Sequence, residues 1–269
     1  MATTVIDGQK VDQKLKSRNP VIEFDRLQMY LGEPYTIDLE DVAGKITLIQ
    51  PTIGKVAALG EKKFYETLNI FITNTTSYRL LLWENGIDWN EINDFDLFCM
   101  LYKQINQDVA TLLFDNIDFS KFEIVAKGEE KEVVLYDEEH AIEINKDVYH
   151  HFSQYFRNVF NIYPEEKITT DVMMKEMFIT KDKRKIANEK YKEEKGSSSI
   201  QSLISACVNH PGFKYKLSEI KDVGICEFYD SVKRLQIYEN STALMKGMYS
   251  GFVDSSKIPA DSYNFMKDI

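Results

Sequence analysis

The sequence predicts an α+β, mostly helical protein: a helical body with a small antiparallel β meander, followed by a C-terminal helical module. Three observations predict this. Apolar residues recur at helical spacing, as in Phe64, Leu68 and Phe71, and again in Val148, Phe152, Tyr155, Phe156, Val159 and Phe160. Three β-prone runs lie close together between residues 119 and 144, parted by charged turns. Only 6 Pro and 12 Gly punctuate 269 residues, too few for a loop-rich β sandwich.

Residues 1–20 read as a polar lead-in, and the main α+β body is expected over 22–195. Met29 to Gln50 is β-like, with Tyr35-Thr36-Ile37 and Ile46-Thr47-Leu48-Ile49 as short strand candidates. Pro51 opens a helix that Thr52 can cap and that carries Phe64, Leu68 and Phe71. Thr75, Thr76 or Ser77 can cap a short helix from Tyr78 to Asn85, which Gly86 stops from the C′ position. Asn93 or Asp94 caps the next helix, with Phe95, Phe98, Leu101 and Ile105 as its core stripe. Residues 53–115 thus form a helical unit.

The meander covers 119–144, in the runs Phe122–Val125, Val133–Tyr136 and Ala141–Ile144. Helices follow over 146–195, the first capped by Asn145 and the second running from Thr170 through Met173, Met177 and Phe178 into a charged end. Gly196-Ser197-Ser198-Ser199 is the one linker-like run and sets off a module at 197–269. Within it one helix carries Ile200, Leu203, Ile204, Cys207 and Val208, and others are expected near 218–223, 225–239 and 242–249.

A formal charge of −10 repels nucleic acid unless a basic patch overrides it. The residues from Lys181 to Lys195 are basic but interleaved with Asp182, Glu189, Glu193 and Glu194, the pattern of a solvated helix face. Three cysteines, Cys99, Cys207 and Cys226, are an odd count in apolar helical contexts without CxxC spacing, which suits buried thiols in a reducing compartment. The first 18 residues lack the apolar stretch of a signal peptide. No run approaches the roughly 18 apolar residues of a membrane span, so a cytoplasmic protein without membrane contact is expected.

Candidate chemistry is sparse. The histidines, His140, His150, His151 and His210, form no i, i+4 pair, and neighbours on a helix point about 100° apart, so no metal site is expected. The carboxylates Asp88, Glu91, Asp94 and Asp96 suit helix caps, and Asp137, Glu138 and Glu139 suit an exposed hairpin turn. No phosphate-loop, dinucleotide or nucleophile-elbow motif occurs. The expectation is a protein that is not an enzyme, with no catalytic residue and no cofactor. Residues 217–239, with Gly224 between two helical runs, could form a helix-turn-helix. A reading helix wants basic or amide side chains near its start, whereas Cys226, Glu227 and Asp230 stand there and Lys233 and Arg234 come late.

Two stretches carry a resemblance. The first runs from Leu48-Ile49-Gln50-Pro51-Thr52-Ile53-Gly54 through Gly60-Glu61-Lys62-Lys63-Phe64-Tyr65 to Leu82-Trp83-Glu84-Asn85-Gly86-Ile87-Asp88-Trp89. The second is Ala243 to Asp254, then Lys257-Ile258-Pro259 and Phe265-Met266. Together, over about half of the chain, they resemble the tail-assembly proteins of tailed phages and prophages of Gram-positive bacteria, including the tail assembly chaperones. The resemblance implies a non-catalytic chaperone of the host cytoplasm that binds the tape-measure protein during tail morphogenesis. The alternatives are a structural tail-tip or baseplate component of the virion and a small DNA-binding regulator.

A chaperone for a long amphipathic helix needs apolar grooves that accept anchors at i, i+3 and i+4, and methionine adapts to varied anchors. The expected partner-binding residues are therefore Met173, Met177, Ile200, Leu203, Leu244, Met245 and Met248, with partner binding centred on the C-terminal module. The expected partner is the tape-measure or another tail protein, not nucleic acid, and an oligomer is compatible with the sequence.

Overall fold

The computed structural model describes residues 4–6, 9–11, 21–115, 117–128, 131–190, 199–254, 256 and 258–267. About half of the described residues are helical and two small sheets are three-stranded and antiparallel, so the α+β, mostly helical class holds. Gly196, Ser197 and Ser198 of the expected linker, with Lys192 and Lys195, lie outside the described residues.

The lead-in contains a two-stranded antiparallel hairpin, β1 (Thr4–Ile6) and β2 (Gln9–Val11). Met29 and Tyr30 are helical rather than β-like. They belong to α1 (Arg26–Tyr30), which Asp25 nucleates by accepting from the main-chain N–H of Leu27 and Gln28. Strands β3 (Tyr35–Ile37) and β4 (Ile46–Leu48) pair as the sequence suggests. A third strand that the sequence did not reveal, β5 (Phe114–Asp115), closes the sheet in the order β3-β4-β5.

Between β4 and β5 lies the helical unit. The expected helix after Pro51 is two helices, α2 (Ile53–Leu59), capped by Thr52, and α3 (Glu61–Ile72). Gly60 separates them at φ +92°, a backbone state that an L side chain rarely adopts. Helix α4 (Arg79–Glu84) ends as predicted. Gly86 sits at φ +74°, and the N–H of Gly86 and Ile87 donate to the carbonyls of Trp83 and Leu82. None of Thr75, Thr76 or Ser77 caps it. Helix α5 (Asp94–Leu101) opens with a reciprocal capping box between Asn93 and Asp96, and the short α6 (Gln107–Ala110) leads to β5.

The meander is β6 (Glu123–Lys127), β7 (Glu132–Asp137) and β8 (Ile142–Ile144), in that order. Asn145 then caps α7 (Lys146–Phe160). Helix α8 (Val172–Lys190) packs on α4. There Asp182 takes both Nε and Nη2 of Arg79 at 2.6 and 2.7 Å, and the guanidinium lies 4.9 Å from the Phe178 ring centre. Asp182 is thus more than a solvated charge on a mixed helix. The C-terminal part holds α9 (Ser199–Val208) and α10 (Ile225–Tyr249). A 3₁₀ turn at Ile220–Asp222 stands where a helix was expected near 218–223. Helix α10 merges the two expected helices at 225–239 and 242–249. Asn240, Ser241 and Thr242 are weak helix formers but not breakers, each costing only about half a kcal/mol. The real stop is Gly251 at φ +75°, where Phe252 N–H returns to Gly247 O.

One core serves the whole body. Phe71 is fully buried with Phe98, Phe114, Phe119, Phe152 and Phe156 around it at ring-centre distances of 5.0 to 6.2 Å. Burying each such ring contributes about 1.5–3 kcal/mol, so this cluster joins α3, α5, α7 and β5.

Candidate interaction surface around the last long helix

Helix α10 is fixed at one end. Ile225 N–H donates to Pro51 O and Ile53 N–H to Val223 O, while Thr52 and Gly224 form an isolated bridge. Gly54 permits this approach. A Cβ there would stand 2.6 Å from the Lys221 carbonyl oxygen, too close for any side chain. Ile225 and Phe228 are wholly buried against the body, and Tyr229 shares a 2.5 Å hydrogen bond with Tyr65 of α3. Burial above all drives the Tyr65 phenol pKa upward, so both phenols stay neutral. The start of α10, the reading end of a helix-turn-helix, therefore packs into the body.

Past Phe228 only Ser241 on α10 is buried. Among the described residues three cavities flank the helix. The largest, about 800 Å³, has Tyr30, Phe213, Tyr215, Tyr238 and Phe265 as aromatic walls and Arg234 among its polar ones. A second, of about 360 Å³ between α9 and α10, is lined by Leu203, Cys207, Val232 and Leu235, with His210 bonded to Glu239 at its rim. The third, about 170 Å³, lies toward α1 and the end of α7.

The chain's own tail already lies at the large groove. Arg234 Nη1 donates to Phe265 O at 3.0 Å and to Lys267 O at 2.8 Å, and Tyr238 meets the Phe265 ring edge-on at 5.8 Å. A guanidinium on main-chain carbonyls beside an aromatic wall is peptide-binding chemistry. Tyr215 donates to Glu227, which with burial pushes its pKa up to about 12, and burial foremost raises Tyr30, with Asp230 and Glu227 adding to it. These phenols thus remain hydrogen-bond donors at neutral pH.

The residues expected to bind a partner do not form one patch. Met173, 77% exposed, and Met177 project from α8, which packs on α4. Ile200 is buried in the body core, with its N–H on Glu61 of α3, so it packs rather than presents a surface. Leu203, Leu244, Met245 and Met248 are half-buried, and Leu203 lines the cavity between α9 and α10. Tyr30, Phe213, Tyr215, Arg234, Tyr238 and Phe265, which line the large groove, were not among the seven. Only Phe265 gave a hint, through the resembling tail.

Several of the groups considered for catalysis have structural occupations. Asp96 completes the cap of α5, Asp94 accepts from Thr75 N–H, and Asp88 pairs with Lys175. Asp137 is buried rather than exposed and organises the β7–β8 turn, accepting from the N–H of Glu139 and His140 and bonding His140 Nδ1 at 2.7 Å. Burial pushes the thiols of Cys99 and Cys226 up to about 12 and 11 and raises Cys207, keeping all three protonated. Among the described residues no cluster of three His, Cys, Asp or Glu could hold a metal, and no helix is long and apolar enough to cross a membrane.

Residues 190–269 are similar to the family described as the YomV second domain. This is a phage-type family, and the match points to a phage-associated protein. It covers less than a third of the chain but takes in α9, α10, the tail and all but one of the residues lining the large groove. No curated protein and no solved structure matches the chain.

Proposed function

We propose that this chain is a non-catalytic, phage-associated protein that holds a segment of another protein along α10, and that it serves as a chaperone of the tape-measure protein during tail assembly. The observation that carries this reading is the large groove's aromatic and guanidinium lining. One wall of it is the chain's own tail, held where Arg234 takes two main-chain carbonyls and Tyr238 meets the Phe265 ring. A client's apolar anchors find the same chemistry there, and the second cavity offers Leu203, Val232 and Leu235 one face further round. An acidic chain of charge −10 keeps such a complex soluble. The phage-type match over the same residues supports the biological setting.

The test is co-expression of the full chain with the tape-measure protein of the same phage, followed by mass spectrometry of purified virions. The expected result is a soluble, co-purifying complex and a chain missing from mature particles. Stoichiometric presence in virions would instead favour a structural tail component, and a tape-measure protein that stays insoluble would overturn the chaperone reading.

A further inference from the structure

The two edges of the second sheet differ. The outer edge of β8 is covered: Glu143 N–H donates to Ala43 O at 2.8 Å, and a Cβ on Gly44 would stand 3.0 Å from Ala141 O. The outer edge of β6 is open. All five of its residues are exposed, and among the described residues no main-chain hydrogen bond reaches that edge. Ile124 and Val125 are 54% and 41% exposed and Val133 beside them is 44% exposed, so apolar side chains border unpaired backbone. Open strand edges of this kind recruit another strand unless something blocks them.

The β6 sequence, Glu-Ile-Val-Ala-Lys, is complementary to itself when reversed. Antiparallel pairing with a second copy about a two-fold axis at Val125 sets Glu123 against Lys127 twice and Ile124 against Ala126 twice. Val125 then meets Val125. Moving the axis by one residue in either direction leaves a charge facing an apolar side chain and loses the ion pairs. Lys127 already bonds Glu143 of β8, which steadies its ammonium on the face that Glu123 shares.

We propose that β6 is the interface of a homodimer, paired antiparallel about Val125, which joins two three-stranded sheets into one of six. A five-residue strand with its neighbours buries less than the ~1,200 Å² of a standard stable interface. The dimer therefore dissociates at roughly micromolar concentration.

Sedimentation velocity of the full chain across the micromolar range tests this. The wild type is expected to shift from monomer to dimer. Glu123→Lys and Lys127→Glu each set like charges against each other and are expected to weaken the dimer about tenfold or more. An equimolar mixture of the two variants restores opposite charges at both contacts and should dimerise like the wild type. Val125→Lys, checked for folding by circular dichroism, should be monomeric. A wild type that stays monomeric throughout overturns the proposal. So does a dimer indifferent to Glu123→Lys and Val125→Lys, or a mixture no tighter than its separate, folded components.

Discussion

Helices α7 and α10 are built on different terms. Nine of the fifteen residues of α7 are buried, and Phe152 and Phe156 among them meet the aromatic cluster around Phe71. Only three of the twenty-five residues of α10 are buried, and two of these, Ile225 and Phe228, lie in its first four positions. One helix is therefore a wall of the core, and the other is an arm docked at one end with cavities along its flanks. Core packing specifies a fold, while half-buried aromatic and basic side chains along a docked arm leave surface for a partner.

The contrast breaks most visibly in the core. Phe71→Ala should destabilise the whole chain by about 3–5 kcal/mol in urea unfolding, because five surrounding rings cannot collapse into the space. A loss near 1 kcal/mol would mean that the aromatic cluster is not the body's keystone. The docking of the arm is the next target. Gly54→Ala should force the 220–224 segment away from α2 at a cost of about 1–3 kcal/mol. Hydrogen exchange should then quicken at Ile225–Phe228 and leave α7 protected; equal loosening of both helices would show that they form a single unit.

A smaller effect is expected from acid in the meander. Burial opposes the Asp137 carboxylate, but hydrogen bonds from His140 and from the N–H of Glu139 and His140 outweigh it and hold its pKa below the ordinary value. The stability this contributes is present above the unfolded value near 3.9 and is lost as pH falls through the lower folded value. Asp137→Asn should flatten that part of the acid unfolding curve, and an unchanged curve would remove the carboxylate from the account. Smallest of all, Met173→Ala and Met177→Ala on exposed α8 should move the unfolding free energy by no more than about 0.5 kcal/mol. A larger loss would mean that these side chains pack against something.

Much of the fold was legible because its signals are local. Asn93 with Asp96, Asn145 and Gly86 mark helix ends by side-chain and backbone chemistry within a few residues, and the three meander strands alternate with charged turns. The break at Gly60 was not legible, because the apolar stripe runs across it while the backbone does not. Strand β5 has two residues, too few for any period to appear. The groove was the hardest to see. Its walls come from Tyr30, from 213–215, from α10 and from Phe265, brought together only when α10 docks and the tail folds back. Arg234 carries no apolar signal, and its place at the groove comes from the tail carbonyls it meets.

On the proposed function, the α10 groove binds the client while the body only carries it. The most direct test is the affinity of the full chain for the purified tape-measure segment, measured beside Arg234→Ala and Tyr238→Ala. Both variants should keep the wild-type unfolding free energy to within about 1 kcal/mol and bind at least about tenfold more weakly, a cost of about 1.4 kcal/mol. Wild-type affinity in both, with the fold intact, would contradict the account.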